Sequence, residues 1–460
     1  MRPLNLFSLI SVPLALLVSG CGSGKSIGNT TQTIAFANPG TQTVGAPLTL
    51  SATANSGLAA SFTSATPSVC TVSGTTATFV TAGTCTIGAS SVGNSTYGAA
   101  SQVEQSFTVN PAIGPNTTIY IAGSETPAGN PPGSMYVAAV WKLTPGSPMA
   151  TVTALPMPSG MSSAQATAIA VSGNDVYVAG NARNSTSQAP ILWVNGKATI
   201  LSPPGSTTIM QESAIAVSGG NVYVVGTEEN STESGSAILW INGAPTALSP
   251  PGGMAYSGAG AITVSGSNIY VGGSAWNTGG YYFAVVWVNG VATVLPAPGG
   301  PTGNYDADAI AVSGGNVYVS GNTHPQGGNG TAITWLNGGP ATTLPAPSGI
   351  QFSQYSAAGI AVLGSSVYTA GNGMSSATGD DAATYWLNGA ATLLLPPTQP
   401  IDTPADSVAA EIGLSGSDVY MVGSTGQYAA YWVNGGAATL LPLPSGMALS
   451  SASAIAVATQ

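Results

Sequence analysis

Chemistry in this 460-residue chain would rest on few side chains, because only 4% of its residues are charged. The residues able to do it sit in polar connecting segments. Trp276, Tyr281 and Tyr282 stand close together, and aromatic faces of that kind stack on sugar rings. Asp306 and Asp308 lie two apart in Tyr305-Asp306-Ala307-Asp308, and Asp380 and Asp381 are adjacent. Such carboxylates could help hold Ca²⁺, but that hard ion wants several oxygens, and the chain has no full acidic loop with a Gly turn. They could also act as acid and base on a glycosidic bond, with Glu212, Asp306, Asp308 and Glu411 as candidates. His324, in His-Pro-Gln-Gly-Gly, is the only His, so a His-based zinc site or a Ser-His-Asp triad would have to use it. Each group also has a plainer reading: loop aromatics pack their own loop, and a polar loop His is solvated. The expected ligand-binding residues are Trp276, Tyr281, Tyr282, Tyr305, Asp306, Asp308, His324, Asp380 and Asp381. No catalytic set, metal or cofactor is assigned.

What must position these residues is a repeat. Val-Tyr-Val-x-Gly followed by a Trp recurs along the chain, with Tyr120, Tyr177, Tyr223, Tyr270, Tyr318, Tyr368 and Tyr420 as one series. Trp141, Trp193, Trp240, Trp287, Trp335, Trp386 and Trp432 are the other. The unit 214–251 shows four strands. They are Ala214–Val217, a turn Ser-Gly-Gly-Asn, Val222–Gly226, a polar loop, Ala237–Ile241 closed by Asn242-Gly243, and Thr246–Leu248 before Pro250-Pro251. The first strand of each unit is rich in Ala and Gly, as crowding near an axis requires, while Tyr and Trp fill wider space further out. First strands centre on Ile169, Ile215, Ile262, Ile310, Ile360, Ile412 and Ile455. No such strand precedes Tyr120 and no Tyr strand follows Ile455, so the C-terminal strand is expected to pair with the one around Tyr120. Pairing of the two ends would remove open edges.

This repeat resembles that of exported bacterial β-propeller proteins with Val-Tyr-Val-Ala-Gly and Trp-x-Asn-Gly units, a group mostly lacking assigned activity. The resemblance implies an all-β fold, a seven-bladed β-propeller over 117–460 closed by its C-terminal strand. Both tight turns of each unit fall on one face, and the connections that vary share the other. Function concentrates on variable loops held by a rigid scaffold, so any site is expected on the variable face. Most of the 15 acidic residues fall there, whereas the turns opposite hold only Asp175 and Asp418.

The remaining segments suggest an address. Residues 1–20 read as an export signal, with Arg2 before the apolar stretch 4–18. Val18-Ser19-Gly20-Cys21 resembles a bacterial lipobox, which implies lipidation of Cys21, a polar linker over 21–32 and a place in the cell envelope. By the sorting rule for such proteins, Gly22 points to the outer membrane. An exported chain with two further cysteines is expected to join Cys70 to Cys85 as a disulfide. Residues 33–110 alternate in seven short runs, among them Pro47–Ala54. The phrases Gln42–Ala54 and Ser68–Gly74 resemble bacterial Ig-like domains, which implies a small β-sandwich acting as a spacer.

With five basic residues and a net charge of −10, the chain lacks a basic footprint for nucleic acid, and anionic lipid and polyphosphate are disfavoured as partners. The function expected is a tethered, non-enzymatic binder of a glycan, protein or envelope component, held to the membrane by its lipid. A carbohydrate-active enzyme and a structural scaffold are the alternatives.

Overall fold

The computed structural model describes residues 29–131, 135–147, 149–202, 209–229, 235–296, 304–325, 329–348, 351–396 and 406–459. Cys21 and the expected signal segment lie outside them, as do Glu233, Asp402 and the side chains of Glu212 and Glu229. All regular structure described is β.

The N-terminal part holds three small sheets. In one, Gly83–Ser90 pairs with Ser61–Ser64 and with Val103–Asn110, which Gln42–Thr43 joins in parallel. In another, Thr76–Phe79 lies between Leu48–Thr49 and Cys70–Ser73. Ile34–Phe36 pairs with Ala52–Ala54. The segment expected as one strand over 47–54 is thus two strands in different sheets. The switch falls at Leu50, which is buried, while its amide donates to Thr75 O (2.7 Å). The Cys70–Cys85 disulfide is formed, with Sγ–Sγ at 2.04 Å, and ties two of these sheets inside a core of Phe36, Phe79, Ile87 and Phe107.

Residues 117–459 contain seven four-stranded antiparallel sheets among the described residues, numbered here by the chain order of their Tyr strands. Sheet one takes Met447–Thr459 as its inner strand beside Thr117–Pro127. The inner and second strands of sheet two are Ser163–Ser172 and Asp175–Arg183, and of sheet three Ile209–Ser218 and Asn221–Glu229. Sheet four has Tyr256–Ser265 and Asn268–Trp276, and sheet five Tyr305–Ser313 and Asn316–Thr323. Sheet six has Phe352–Leu363 and Ser366–Ser375, and sheet seven Ser407–Ser415 and Asp418–Thr425.

Three side-chain devices recur. In sheets two to seven the Asn of the Asn-Gly hairpin takes a positive φ of 50–52°, which Asn and Gly tolerate best. Its side chain then clamps the neighbouring turn. In sheet two Asn195 Oδ1 accepts from Val176 N (2.9 Å) and Nδ2 donates to Asp175 Oδ1 (2.8 Å). Asn434 does the same with Val419 and Asp418. The two acidic residues of the constant face are therefore structural. Each repeat Trp is buried, and its indole Nε1 donates to a carbonyl at the end of the preceding sheet. Trp193 reaches Pro156 O (2.9 Å), Trp287 reaches Ser249 O (2.8 Å), and Trp141 of sheet one reaches Pro442 O beyond sheet seven (2.9 Å).

The third device shapes the centre. Every inner strand shifts register by one residue, at Ala307/Ala309 in sheet five and at the equivalent point elsewhere. The residue passed over is Ser453, Thr167, Ser213, Gly260, Asp308, Ala358 or Ala410, and all seven line one cavity of about 190 Å³. Opposite each bulge stands the repeat Gly. A Cβ on Gly321 would lie 1.9 Å from Asp306 O, and one on Gly423 1.8 Å from Val408 O. The Gly of Val-Tyr-Val-x-Gly is there because two backbones touch.

Candidate functional site

The second strands end on the variable face just past the repeat Gly. The next residue is Ser124, Asn181, Thr227, Ser274, Asn322, Asn372 or Ser424, polar and uncharged in all seven sheets. In sheet five this position organises the chemistry. Asn322 N donates to Asp306 Oδ1 (2.9 Å), and its Nδ2 donates to Asp308 Oδ2 and to Ala357 O of sheet six (3.2 Å). Its Oδ1 accepts from Ala357 N (2.8 Å). His324 Nε2 bonds Asp306 Oδ2, and the imidazole is 55% exposed. Asn322 thus ties both carboxyls of the Asp306–Asp308 pair to two sheets at once.

The environments of this chain of groups differ. Burial pushes the Asp308 carboxyl well above the usual range, and the adjacent Asp306 carboxylate raises it further, against the Asn322 bond. The Asp306 hydrogen bond raises His324, and burial opposes it. Asp308 faces the central cavity, whose other ionisable lining residue is Glu411. Burial pushes Glu411 up to about 7, although its Oε2 accepts from Ile455 N (2.8 Å).

Between sheets five and six opens a cleft of about 280 Å³, lined among others by Asn322, His324, Gln354, Tyr355, Asn372 and Asp381. Asn372 Nδ2 donates to Asp381 Oδ1 (2.9 Å), and Ser356 Oγ donates to Asn372 Oδ1 (3.0 Å). A second cleft, of about 250 Å³, lies between sheets seven and one. Position for position it is the same site. Ser424 stands where Asn322 does, Gly426 where His324 does, Ser450 where Tyr355 does, and Ser124 where Asn372 does. Tyr136 takes the place of Asp381. One copy carries an imidazole and a carboxylate, and the other is lined mostly by hydroxyls, with Gln427 and Leu449.

The expected site residues therefore divide. His324 and Asp381 share the cleft, with Asp306 and Asp308 bound to its Asn322 wall. Asp380 lies beside Asp381 in a turn, its amide donating to Thr378 Oγ1 (3.3 Å). Tyr305 is a correction. It is 6% exposed and packs in the core with Ile310 and Trp335, because strand alternation turns Tyr305 and Ala307 inward. Trp276 sits on sheet four, its ring centroid 5.8 Å from that of Tyr256 and 5.4 Å from that of Tyr282. Its edge covers Gly235 of sheet three, where a Cβ would lie 2.9 Å away. Trp276 therefore braces two sheets, while Tyr282 stays 43% exposed and Tyr281 half-buried. The sequence reading passed over Asn322 and Asn372. The signal was the unbroken polar position after each repeat Gly. Among the described residues no three metal-ligating side chains converge, and no helix is long and apolar enough to cross a membrane.

No family model matches the sequence, and none of the curated proteins resembles it. Solved structures do resemble the fold, and several are β-propeller proteins. The structure of YjhT is similar at 13% identity and a TM-score of 0.37, over 63% of this chain and 99% of that one. A Trypanosoma rangeli sialidase in complex with sialic acid is similar at 12% identity and 0.37, over 74% of this chain and 52% of that one. A Mycobacterium tuberculosis puromycin-hydrolyzing peptidase is similar at 15% identity and 0.42, over 70% and 52%. The chain spans about half the length of these two enzymes. With enzymes among its structural neighbours, the expectation that the chain is not one is withdrawn.

Proposed function

We propose that the seven sheets form one closed seven-bladed propeller, carried on an Ig-like spacer and held by lipidated Cys21 at the bacterial outer membrane. On its variable face, the cleft between sheets five and six binds a hydroxyl-rich ligand, a glycan. The observation that carries this is the lining of that cleft. Two adjoining sheets contribute an imidazole, a carboxylate, carboxamides and the Tyr355 ring to one opening, the mixture of oriented polar groups and aromatic surface that sugar recognition uses. The uncharged polar position repeated after each Gly supports it, and the cleft between sheets seven and one offers the same frame with hydroxyls, the Gln427 carboxamide and Leu449 in place of the imidazole and carboxylate. A glycan array followed by calorimetry tests the reading. The best array ligand should lose at least about tenfold in affinity in Asn372→Ala and in Asp381→Asn. Array silence, or capture of a protein partner in its place, overturns it.

One observation favours a second reading, acid–base chemistry on the bound ligand. Asp306 and Asp308 touch, and burial together with the Asp306 carboxylate pushes the Asp308 carboxyl well above the usual range. Carboxyls whose environments set them apart are what acid and base roles require. Turnover of a glycan, abolished by Asp308→Asn in a folded protein, would establish it.

A further inference from the structure

Glu125 is 1% exposed, and among the described residues neither of its carboxyl oxygens has a hydrogen-bond partner. It lies on Thr117–Pro127, between Ser450 of the closing strand Met447–Thr459 and Val137 of Val137–Leu143. The same position in sheets two to seven holds Ala182, Glu228, Ala275, Thr323, Gly373 and Thr425. A fully buried acid thus occurs at the one seam where the two ends of the repeat array meet. Its neighbours Ser124, Thr126 and Ser450 line the cleft between sheets seven and one.

Among the described residues no charge nearby compensates it. The closing strand and Ser163–Ser172 carry no ionisable side chain. Val137–Leu143 carries Lys142, whose Nζ lies over the Tyr120 ring (5.3 Å) at the far end of the pair. Arg183 stacks on Tyr136 (5.7 Å). Sheet seven, packed on the closing strand, offers Glu411, Asp418, Tyr420, Tyr428 and Tyr431. Glu411 bonds Ile455, five residues beyond Ser450.

We propose that Glu125 makes the seam between the first and last strands a pH-sensitive latch, shut while the carboxyl is neutral and released when it ionises. An unpaired buried carboxylate is costly, whereas an opened seam returns it to water. Burial alone pushes its pKa from 4.5 up to about 7. The neutral acid therefore favours the closed seam at low pH, and opening grows as pH rises from 4.5 towards 7, then levels off. The cleft beside the seam loosens with it. This inference stands independently of the ligand reading.

Hydrogen exchange on the intact chain tests it. Corrected for intrinsic exchange, protection of 117–127 and 447–459 should fall roughly 50-fold between pH 5 and pH 8. Inner strands of sheets three to five should change far less. Glu125→Gln, and Glu125→Thr with the residue that sheets five and seven use, should remove most of the fall over 117–127, while Glu411 keeps part of the fall around Ile455. Glu411→Gln should leave the fall over 117–127 in place. A flat wild type, a Gln variant that falls equally, or an equal fall in all seven inner strands overturns the latch.

Discussion

At the scale of the residue, the repeat Trp does more than fill space. Each indole fills its sheet and also donates to a carbonyl on the preceding one, so it joins packing to sheet order. Trp287→Phe keeps an aromatic ring but leaves Ser249 O unpaired, and should cost about 1–2 kcal/mol in denaturant unfolding. Trp287→Ala should cost about 3–5 kcal/mol through the cavity as well. A Trp287→Phe variant as stable as wild type would show that the hydrogen bond contributes nothing. Periodicity makes the Trp series legible as core, but in sheets two to seven the acceptors lie 37 to 41 residues upstream, that of Trp141 lies 301 residues downstream, and all become partners only through the fold. Tyr305 shows the converse. Its neighbours Asp306 and Asp308 give it the look of a rim residue, yet alternation along the strand sends it to the core.

At the scale of the element, the bulge decides where the carboxyls point. Strict alternation would put Asp306 and Asp308 on one side of the inner strand. The register shift between Ala307 and Ala309 lets Asp308 line the central cavity while its Oδ2 still accepts from Asn322 Nδ2, and Asp306 holds Asn322 N and His324. A bulge has no residue signature of its own here, since Thr, Ser, Gly, Asp and Ala all occupy it, so the sequence shows the strand but not its turn-out. What the sequence does show is the Gly opposite. Gly321→Ala would set a methyl against Asp306 O and part the two strands. We expect a loss of about 3 kcal/mol, from urea unfolding, together with loss of the raised Asp308 titration followed by NMR. A variant as stable as wild type would mean that the strands separate freely at the bulge. The small N-terminal sheets depend on a different element. The disulfide closes a separation of 15 residues, which in the chain-entropy model is worth about 3 kcal/mol. The paired change Cys70→Ala and Cys85→Ala should therefore speed proteolysis within 34–110 and leave the seven sheets resistant.

At the scale of the whole molecule, the sparse charge of the chain is placed against neutral pH. Glu125 and Glu411 are both pushed up to about 7, from 4.5, by burial, and Asp308 is raised as well. The sign follows from proton counting. Between pH 4.5 and 7 the unfolded chain has released these protons while the folded one retains them, so the native state binds more protons and stability falls as pH rises. Each of the two glutamates can cost at most about 3.5 kcal/mol across that window, since one pKa unit is about 1.4 kcal/mol. The protein should accordingly be most stable near pH 4.5 and lose stability up to about pH 7, with little further change above. Urea midpoints at pH 4.5, 6 and 7.5 check this. The double variant Glu125→Gln with Glu411→Gln should flatten most of the slope, because Gln has no proton to release. Should the slope survive in that variant, Asp308 and general repulsion among the chain's net −10 charge, and not the two buried glutamates, would set the molecule's acid preference.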